Sequence, residues 1–329
     1  MTATVLLFLL GLAALYKGGD IFVEEAVYIA RRFRIPEIII GATIVSIGTT
    51  LPEMTVSALA SANGLSSMAY GNAIGSVSCN AALIAGVLLL LAPSHVAKKE
   101  IMLGTIFFFA AALFFTIAGA ANGSITVLAG LILLAVYAAF VVMSIRQSSK
   151  TLVTGHAGKA EAGKEGSVLS HLFFFVVGGV LVFFGSKLLI DNGVLIAQFL
   201  KVPERIIALT FIALGTSLPE LVTAIASISK GHGDISLGNI IGANLMNISV
   251  VIGISSLIHP VAVPQAELRT DLLFAFVPML LLAIPTLLRS KTSRMQGGLL
   301  LCAYIWYCIL LFHELQYASA FLPYISYWR

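Results

Sequence analysis

The chain has 329 residues, of which 59% are hydrophobic and only 10% charged, and a mean hydropathy of +1.02. This excludes a soluble globular domain of that length. The formal net charge of +4 gathers in short loops, so it reports orientation in a membrane and gives no reason to consider nucleic acid. A spanning helix needs about 20 apolar residues. Ten such stretches occur, at 4–29, 36–61, 68–92, 101–119, 124–145, 169–199, 206–229, 235–258, 271–288 and 297–314.

The first stretch lacks a basic n-region and a small-residue cleavage site, and it aligns with the stretch near 171–197; it reads as a retained helix. It carries Lys17, Asp20, Glu24 and Glu25, and its counterpart carries Lys187 and Asp191. These charges are expected to pair at three- or four-residue spacing or to reach the interface, leaving the two long helices few polar ties to the rest.

Residues 18–93 occur twice. Without a gap, Gly18–Pro93 aligns with Gly185–Pro260. Gly48-Thr49-Thr50-Leu51-Pro52-Glu53 then falls on Gly215-Thr216-Ser217-Leu218-Pro219-Glu220. Each proline withdraws a backbone donor within a long apolar segment, so the carbonyls of Ser46–Gly48 and Ala213–Gly215 are expected to lose helical partners. Carbonyl, hydroxyl and carboxylate oxygens within two turns suit a hard cation such as Na+ or Ca2+. An acid at the centre of a spanning helix costs about 2.5–3.5 kcal/mol on insertion scales, and a cation offsets that cost. Two carboxylates balance one Ca2+ or two Na+.

The third stretch and its copy add Gly71-Asn72-Ala73-Ile74-Gly75 and Gly238-Asn239-Ile240-Ile241-Gly242, whose glycine spacing allows close helix approach. Ser76 and Asn80 lie on one helical face, and Asn247 is the repeat mate of Asn80. The fourth and fifth stretches, with Phe107-Phe108-Phe109, show no alignable copy and are expected to face lipid or act as scaffold.

The polar segment from Arg146 to Gly166 cannot bury a core and reads as a flexible linker. It divides the chain into a first five-helix repeat at 1–145, a linker at 146–168 and a second five-helix repeat at 169–329. Because five is odd, the second repeat enters the membrane from the opposite face. Most loop Lys and Arg residues fall on one side, which predicts a cytoplasmic linker and both termini outside. The fold class is thus an all-α polytopic membrane protein of ten transmembrane helices as two inverted repeats. Cys79, Cys302 and Cys308 sit in apolar segments without metal-ligand spacing. The six histidines form no cluster, and each is expected to be solvated or interfacial.

At the two glutamate motifs the chain resembles the sodium/calcium exchanger family of the calcium:cation antiporter superfamily, in its compact prokaryotic form. The resemblance implies a secondary active antiporter and no enzyme: Ca2+ and Na+ are transported ions, the lipid bilayer is the surroundings, the location is the prokaryotic plasma (inner) membrane, and no cofactor is needed. Carried onto this sequence, it implies that Glu53 and Glu220 are carboxylates shared by Ca2+ and Na+, and that Thr49 and Thr216 supply carbonyls to Ca2+. The Ser46 and Ala213 carbonyls would serve flanking Na+ positions, and Thr50, Ser76, Ser217 and Asn80 would supply side-chain oxygens, with Asn247 beside them. The family usually has serine at Ala243, and some members have aspartate at Asn247. The resemblance also implies electrogenic exchange of three Na+ per Ca2+, with the first and sixth helices sliding past a fixed core. A Ca2+/H+ antiporter of the same superfamily, or a passive cation channel, would use the same oxygens.

Overall fold

The computed structural model describes residues 2–33, 35–153, 167–199, 213–265 and 268–325. Almost all of them are helical, in α1 (Thr2–Arg32), α2 (Glu37–Thr49), α3 (Leu51–Ala62), α4 (Ser66–Leu91), α5 (Lys98–Asn122), α6 (Val127–Val153), α7 (Val168–Phe199), α8 (Ala213–Thr216), α9 (Leu218–Ser229), α10 (Gly233–Ile258), α11 (Leu268–Arg289) and α12 (Arg294–Ile325). Among the described residues seven helices are long and apolar enough to cross a membrane, or eight when α2 and α3, bent by 46°, are taken as one broken span. α9 and the Arg294–Leu310 part of α12 are shorter apolar helices. The molecule is an all-α polytopic membrane protein.

Local sequence explains the breaks. Pro52 and Pro219 stand in the first turn of α3 and α9, where a missing N–H is tolerated, and Thr50 and Ser217 precede them with ψ near zero. α3 and α9 end alike: Gly64 and Gly231 take φ of +75° and +79°, which glycine adopts without strain. Leu65 N–H then reaches the Ala60 carbonyl and His232 N–H the Ser227 carbonyl, each at 2.8 Å, closing two Schellman turns. Among the described residues three π-helical turns interrupt the long helices, at Gly41–Val45, Cys79–Ile84 and Asn247–Val251.

The most apolar windows of α10 and α4 are 83% and 72% buried, against 28% for α1 and 22% for α7. α4 and α10 therefore form the centre, and α1 and α7 lie outside it. α1 and α7 pack antiparallel along facing glycines. A Cβ on Gly11 would meet Leu189 N at 2.8 Å, one on Gly18 Val182 N at 2.8 Å, and one on Gly178 Phe22 N at 2.7 Å. α10 lies against α2 with its glycines on the partner backbone: Gly238 faces Ile38 and Gly242 faces Ala42. Residues 205–209, the repeat counterpart that Gly71 and Gly75 would face, lie outside the described residues. At one end of the bundle Ser124–Ile125 (β1) pairs antiparallel with Val261–Ala262 (β2). A bridge between His95 and Lys291 joins the α4–α5 and α11–α12 loops.

α5 takes both of the roles left open for it, Phe108 and Phe115 being buried in the main core where α5 packs against α10 and α11, while Ile106, Leu113 and Ile117 are exposed. Several expectations need correction. The polar segment begins as helix, α6 running on to Val153, and residues 154–166 lie outside the described residues. His171 is buried: its Nδ1 lies 2.6 Å from Glu25 Oε2 and its ring stacks on Tyr28 at 3.5 Å. His232 Nδ1 contacts Glu37 Oε2 at 2.9 Å. Lys187 and Asp191 do pair at i,i+4, 3.1 Å apart. Asp20 and Glu24 instead reach Lys230 at the end of α9, so α1 does have polar ties to the core.

Candidate functional site

Glu53 in the first turn of α3 and Glu220 in the first turn of α9 have no solvent exposure. The proline-broken segments bring them together reciprocally. Thr50 Oγ1 donates to Glu220 Oε1 at 3.2 Å, and Ser217 Oγ donates to Glu53 Oε1 at 3.4 Å. Each hydroxyl thus crosses to the other half's carboxylate. Ser76 of α4 adds a contact to Glu53 Oε1 at 3.5 Å. The second oxygen of each acid, Glu53 Oε2 and Glu220 Oε2, is buried with no hydrogen-bond partner. A carboxylate oxygen left so at membrane depth is costly unless something positive meets it.

Two amides lie in the π-helical turns of α4 and α10. Asn80 and Asn247 are fully buried, and neither the oxygen nor the nitrogen of either side chain has a partner. A π-turn widens the helix locally and recurs at functional sites. With free carboxylate oxygens, threonine and serine hydroxyls and two unpaired amide oxygens, the donor set is one of hard oxygens. It matches what Na+ or Ca2+ takes on entering from water. Among the described residues there is no group of three or more His, Cys, Asp or Glu placed to hold a metal, so softer nitrogen–sulfur coordination has no candidate there.

The remaining predicted positions behave less uniformly. Thr49 and Thr216 are buried, and their hydroxyls donate to asparagines of the other half, Thr49 Oγ1 to Asn239 Oδ1 at 3.2 Å and Thr216 Oγ1 to Asn72 Oδ1 at 3.4 Å, with the Thr49 hydroxyl also within reach of the Glu220 carboxylate. Ser46 is buried with its hydroxyl on the Thr43 carbonyl at 3.0 Å. Its own carbonyl does not lose its helical partner, because Thr50 N–H donates to it at 2.9 Å. The missing donor of Pro52 affects the residue four back, which is Gly48, so the break begins after Ser46. Ala213 opens α8, and Ala243 is fully buried in α10.

Comparison with known proteins decides the family. The family model described as "Sodium/calcium exchanger protein" matches residues 3–146 and again 170–313. The chain belongs to the sodium/calcium exchanger family. The sodium/calcium exchanger MaX1 of Methanosarcina acetivorans is 31% identical to it, over 95% of this chain and 99% of that protein. The inner membrane protein YrbG of Escherichia coli K12 is 33% identical, over 94% and 97%. Among solved structures, the sodium-calcium exchanger NCX_Mj, soaked with Na+ and Ca2+, superposes with a TM-score of 0.80 at 30% identity, covering 93% of this chain and 98% of that one.

The exchanger fold also brings in two residues that the sequence reading left out of the site. Asn72 and Asn239 are repeat mates. Asn72 Nδ2 donates to the Glu53 carbonyl at 3.1 Å and to Ser57 Oγ at 2.9 Å, while its oxygen accepts from Thr216 of the other half. Asn239 is bonded to Thr49 of the other half and to Thr223 of its own. The signal was present, since this asparagine is identical in both copies of the glycine motif. These residues brace the exchanger's two broken helices against each other. Replacing Asn72 or Asn239 by Ala strands the buried partner groups, at about 1–3 kcal/mol each. Half-saturating Ca2+ should therefore rise about tenfold or more in either variant, while Asn72→Ser, which keeps a hydroxyl, falls between. Unchanged half-saturation in both alanine variants would show the braces to be idle.

Proposed function

We propose that this exchanger moves Ca2+ against Na+ by alternating access, with Glu53 and Glu220 as the carboxylates that both ions share. The observation that carries this reading is the pair of buried acids, each with one oxygen held by a hydroxyl of the opposite half and one oxygen without a partner. One Ca2+ or two Na+ neutralise the same two charges, so the ions compete for one centre and each drives release of the other. Thr50, Ser217, Ser76, Asn80 and Asn247 supply further oxygens, and Thr49, Thr216, Ser46 and Ala213 supply carbonyls. NCX_Mj was soaked with these two ions, which supports the choice. A third Na+ per cycle makes the exchange electrogenic. No covalent chemistry is involved.

The same reading takes the ten apolar segments as two inverted five-helix repeats, 1–145 and 169–329, joined by a linker at 146–168. The antiparallel packing of α1 on α7, and the parallel run of α2 and α10 along Ile38–Gly238 and Ala42–Gly242, support it. The distribution of loop charge supports a cytoplasmic linker with both termini outside. The loosely embedded α1–α7 pair is the element that slides past the core, and crosslinks fixing α1 to α2 should stop transport.

The direct test is Ca2+ uptake into proteoliposomes loaded with Na+, against vesicles holding only K+ or an acid interior. Uptake is expected only with internal Na+, accelerated by a membrane potential that draws positive charge outward. Equal uptake driven by the acid interior would assign proton coupling instead, and uptake without any counter-ion would assign a channel.

A further inference from the structure

We propose that Lys230 is a positioning residue for exchange: its ion pairs with Asp20 and Glu24 form a latch, present among the described residues at one end only, that biases the equilibrium between the two access states. This rests on the alternating-access reading above.

Lys230 caps α9 at the Schellman turn, a place where a cation also complements the helix dipole. Its Nζ lies 2.7 Å from Asp20 Oδ1 and 3.4 Å from Glu24 Oε2, one turn apart on α1. α1 and α7 form one body, joined by the glycine contacts and, at this same end, by the buried His171–Glu25 pair and the Tyr28–His171 stack. Among the described residues, the other ion pairs stay on one side of the sliding boundary. His171–Glu25 and Lys187–Asp191 lie within the α1–α7 body, and His232–Glu37 lies within the core. The Lys230 pairs cross the boundary, so sliding must break or rearrange them.

The repeat provides an internal control. Lys230 aligns with Asn63, Asp20 with Lys187, and Glu24 with Asp191. Asn63 turns its amide to the Leu59 carbonyl at 2.8 Å, and Lys187 pairs with Asp191 on its own helix. Among the described residues the opposite end therefore has no counterpart of the latch. In an inverted repeat the two access states are related by exchanging the roles of the halves, which by itself makes them nearly equal in free energy. A contact found at one end alone removes that equality. The side chains are partly exposed, 25% for Lys230 and 41% for each acid. An ion pair of that exposure shifts an equilibrium by about two- to fivefold. Apparent affinity at a face follows the fraction of molecules open to it, so the latch, by favouring the state that holds it, shifts the ratio of half-saturating Ca2+ between the two faces.

The test uses the full chain in sided proteoliposomes, with half-saturating Ca2+ measured on each face. Lys230→Asn, which makes the end of α9 like its Asn63 counterpart, should change the ratio of the two faces' half-saturating Ca2+ about two- to fivefold. Asp20→Asn with Glu24→Gln should give the same change from the other side of the boundary, which covers the case in which a variant at Lys230 fails to fold. Exchanging the charges, Lys230→Asp with Asp20→Lys, should return the ratio toward its original value. A purely structural role for Lys230 would lower the maximal rate at both faces and leave the ratio alone. A ratio unmoved in the transport-competent neutral variants overturns the latch. Absence of Na+-driven uptake in the unaltered protein would instead overturn the exchange reading, and the latch with it.

Discussion

Glu53→Gln and Glu220→Gln are each expected to reduce Na+-driven Ca2+ uptake by two to three powers of ten. Glutamine keeps the shape of the side chain and can still accept from Ser217 or Thr50, as Oε1 of each acid does now. What it lacks is the charge that meets the cation. Removing one partner of a buried charge pair costs about 3–5 kcal/mol, and each 1.4 kcal/mol is tenfold in affinity. The two acids act on one centre, so the double variant should be little worse than either single one. Binding of Ca2+ by calorimetry in detergent separates this from a transport defect, and both variants should elute as the unaltered protein does. If either variant retained more than a tenth of the uptake, the carboxylate in question would not be a shared ligand.

Gly242→Val should fail to yield a stable protein. A Cβ at Gly242 would stand 2.6 Å from both the Cα and the carbonyl carbon of Ala42. That neighbour is backbone of α2, on the segment that leads to the break before Glu53, and it cannot rotate aside as a side chain can. Overpacking a core ordinarily costs about 1–3 kcal/mol, and a backbone obstacle places this case at or above the upper end. Thermal melting followed by size-exclusion in detergent should show a large loss of Tm or aggregation. Gly298→Ala is the matched control: its Cβ would meet no atom within 4 Å, and alanine in a helix interior is worth about 0.5–1 kcal/mol over glycine. Equal melting of Gly242→Val and the unaltered protein would mean that α2 and α10 do not pack as described.

Much of the site was legible because the chain repeats itself. A glutamate two residues after a threonine–leucine or serine–leucine step, beside a proline and inside an apolar run, is conspicuous once and decisive twice, and both copies do converge. Seven of the ten apolar stretches were equally readable as spanning helices from length and hydropathy, while 36–61 is a broken pair and 206–229 and 297–314 are represented among the described residues by shorter apolar helices. What could not be read were partnerships across the molecule. Nothing local in the sequence says that Asn72 accepts from Thr216, or that Lys230 answers Asp20 instead of Lys17. His171 looked solvated because a histidine three residues into a helix usually is; Glu25 and Tyr28 bury it from a different helix. The phenylalanines of α5 left scaffold and lipid-facing roles undivided for a related reason, since a uniformly apolar helix carries no mark that separates its lipid face from its protein face.

The π-helical turns at Cys79–Ile84 and Asn247–Val251 carry a consequence for how this chain can change. Each adds width to a turn, and deleting one residue there would let the ladder close as ordinary α-helix. The helix beyond would keep its phase, because a π-turn holds one residue more than the α-turn it replaces at a smaller rotation per residue. Ala85–Leu91 and Ile252–Ile258, the stretches that follow, would still present the same faces to their neighbours. What such a deletion removes is the widened turn in which Asn80 and Asn247 sit. The fold therefore tolerates the loss of one residue here better than in the regular helix on either side, where the same loss turns everything beyond by about 100°, and the cost falls on the two buried amides alone.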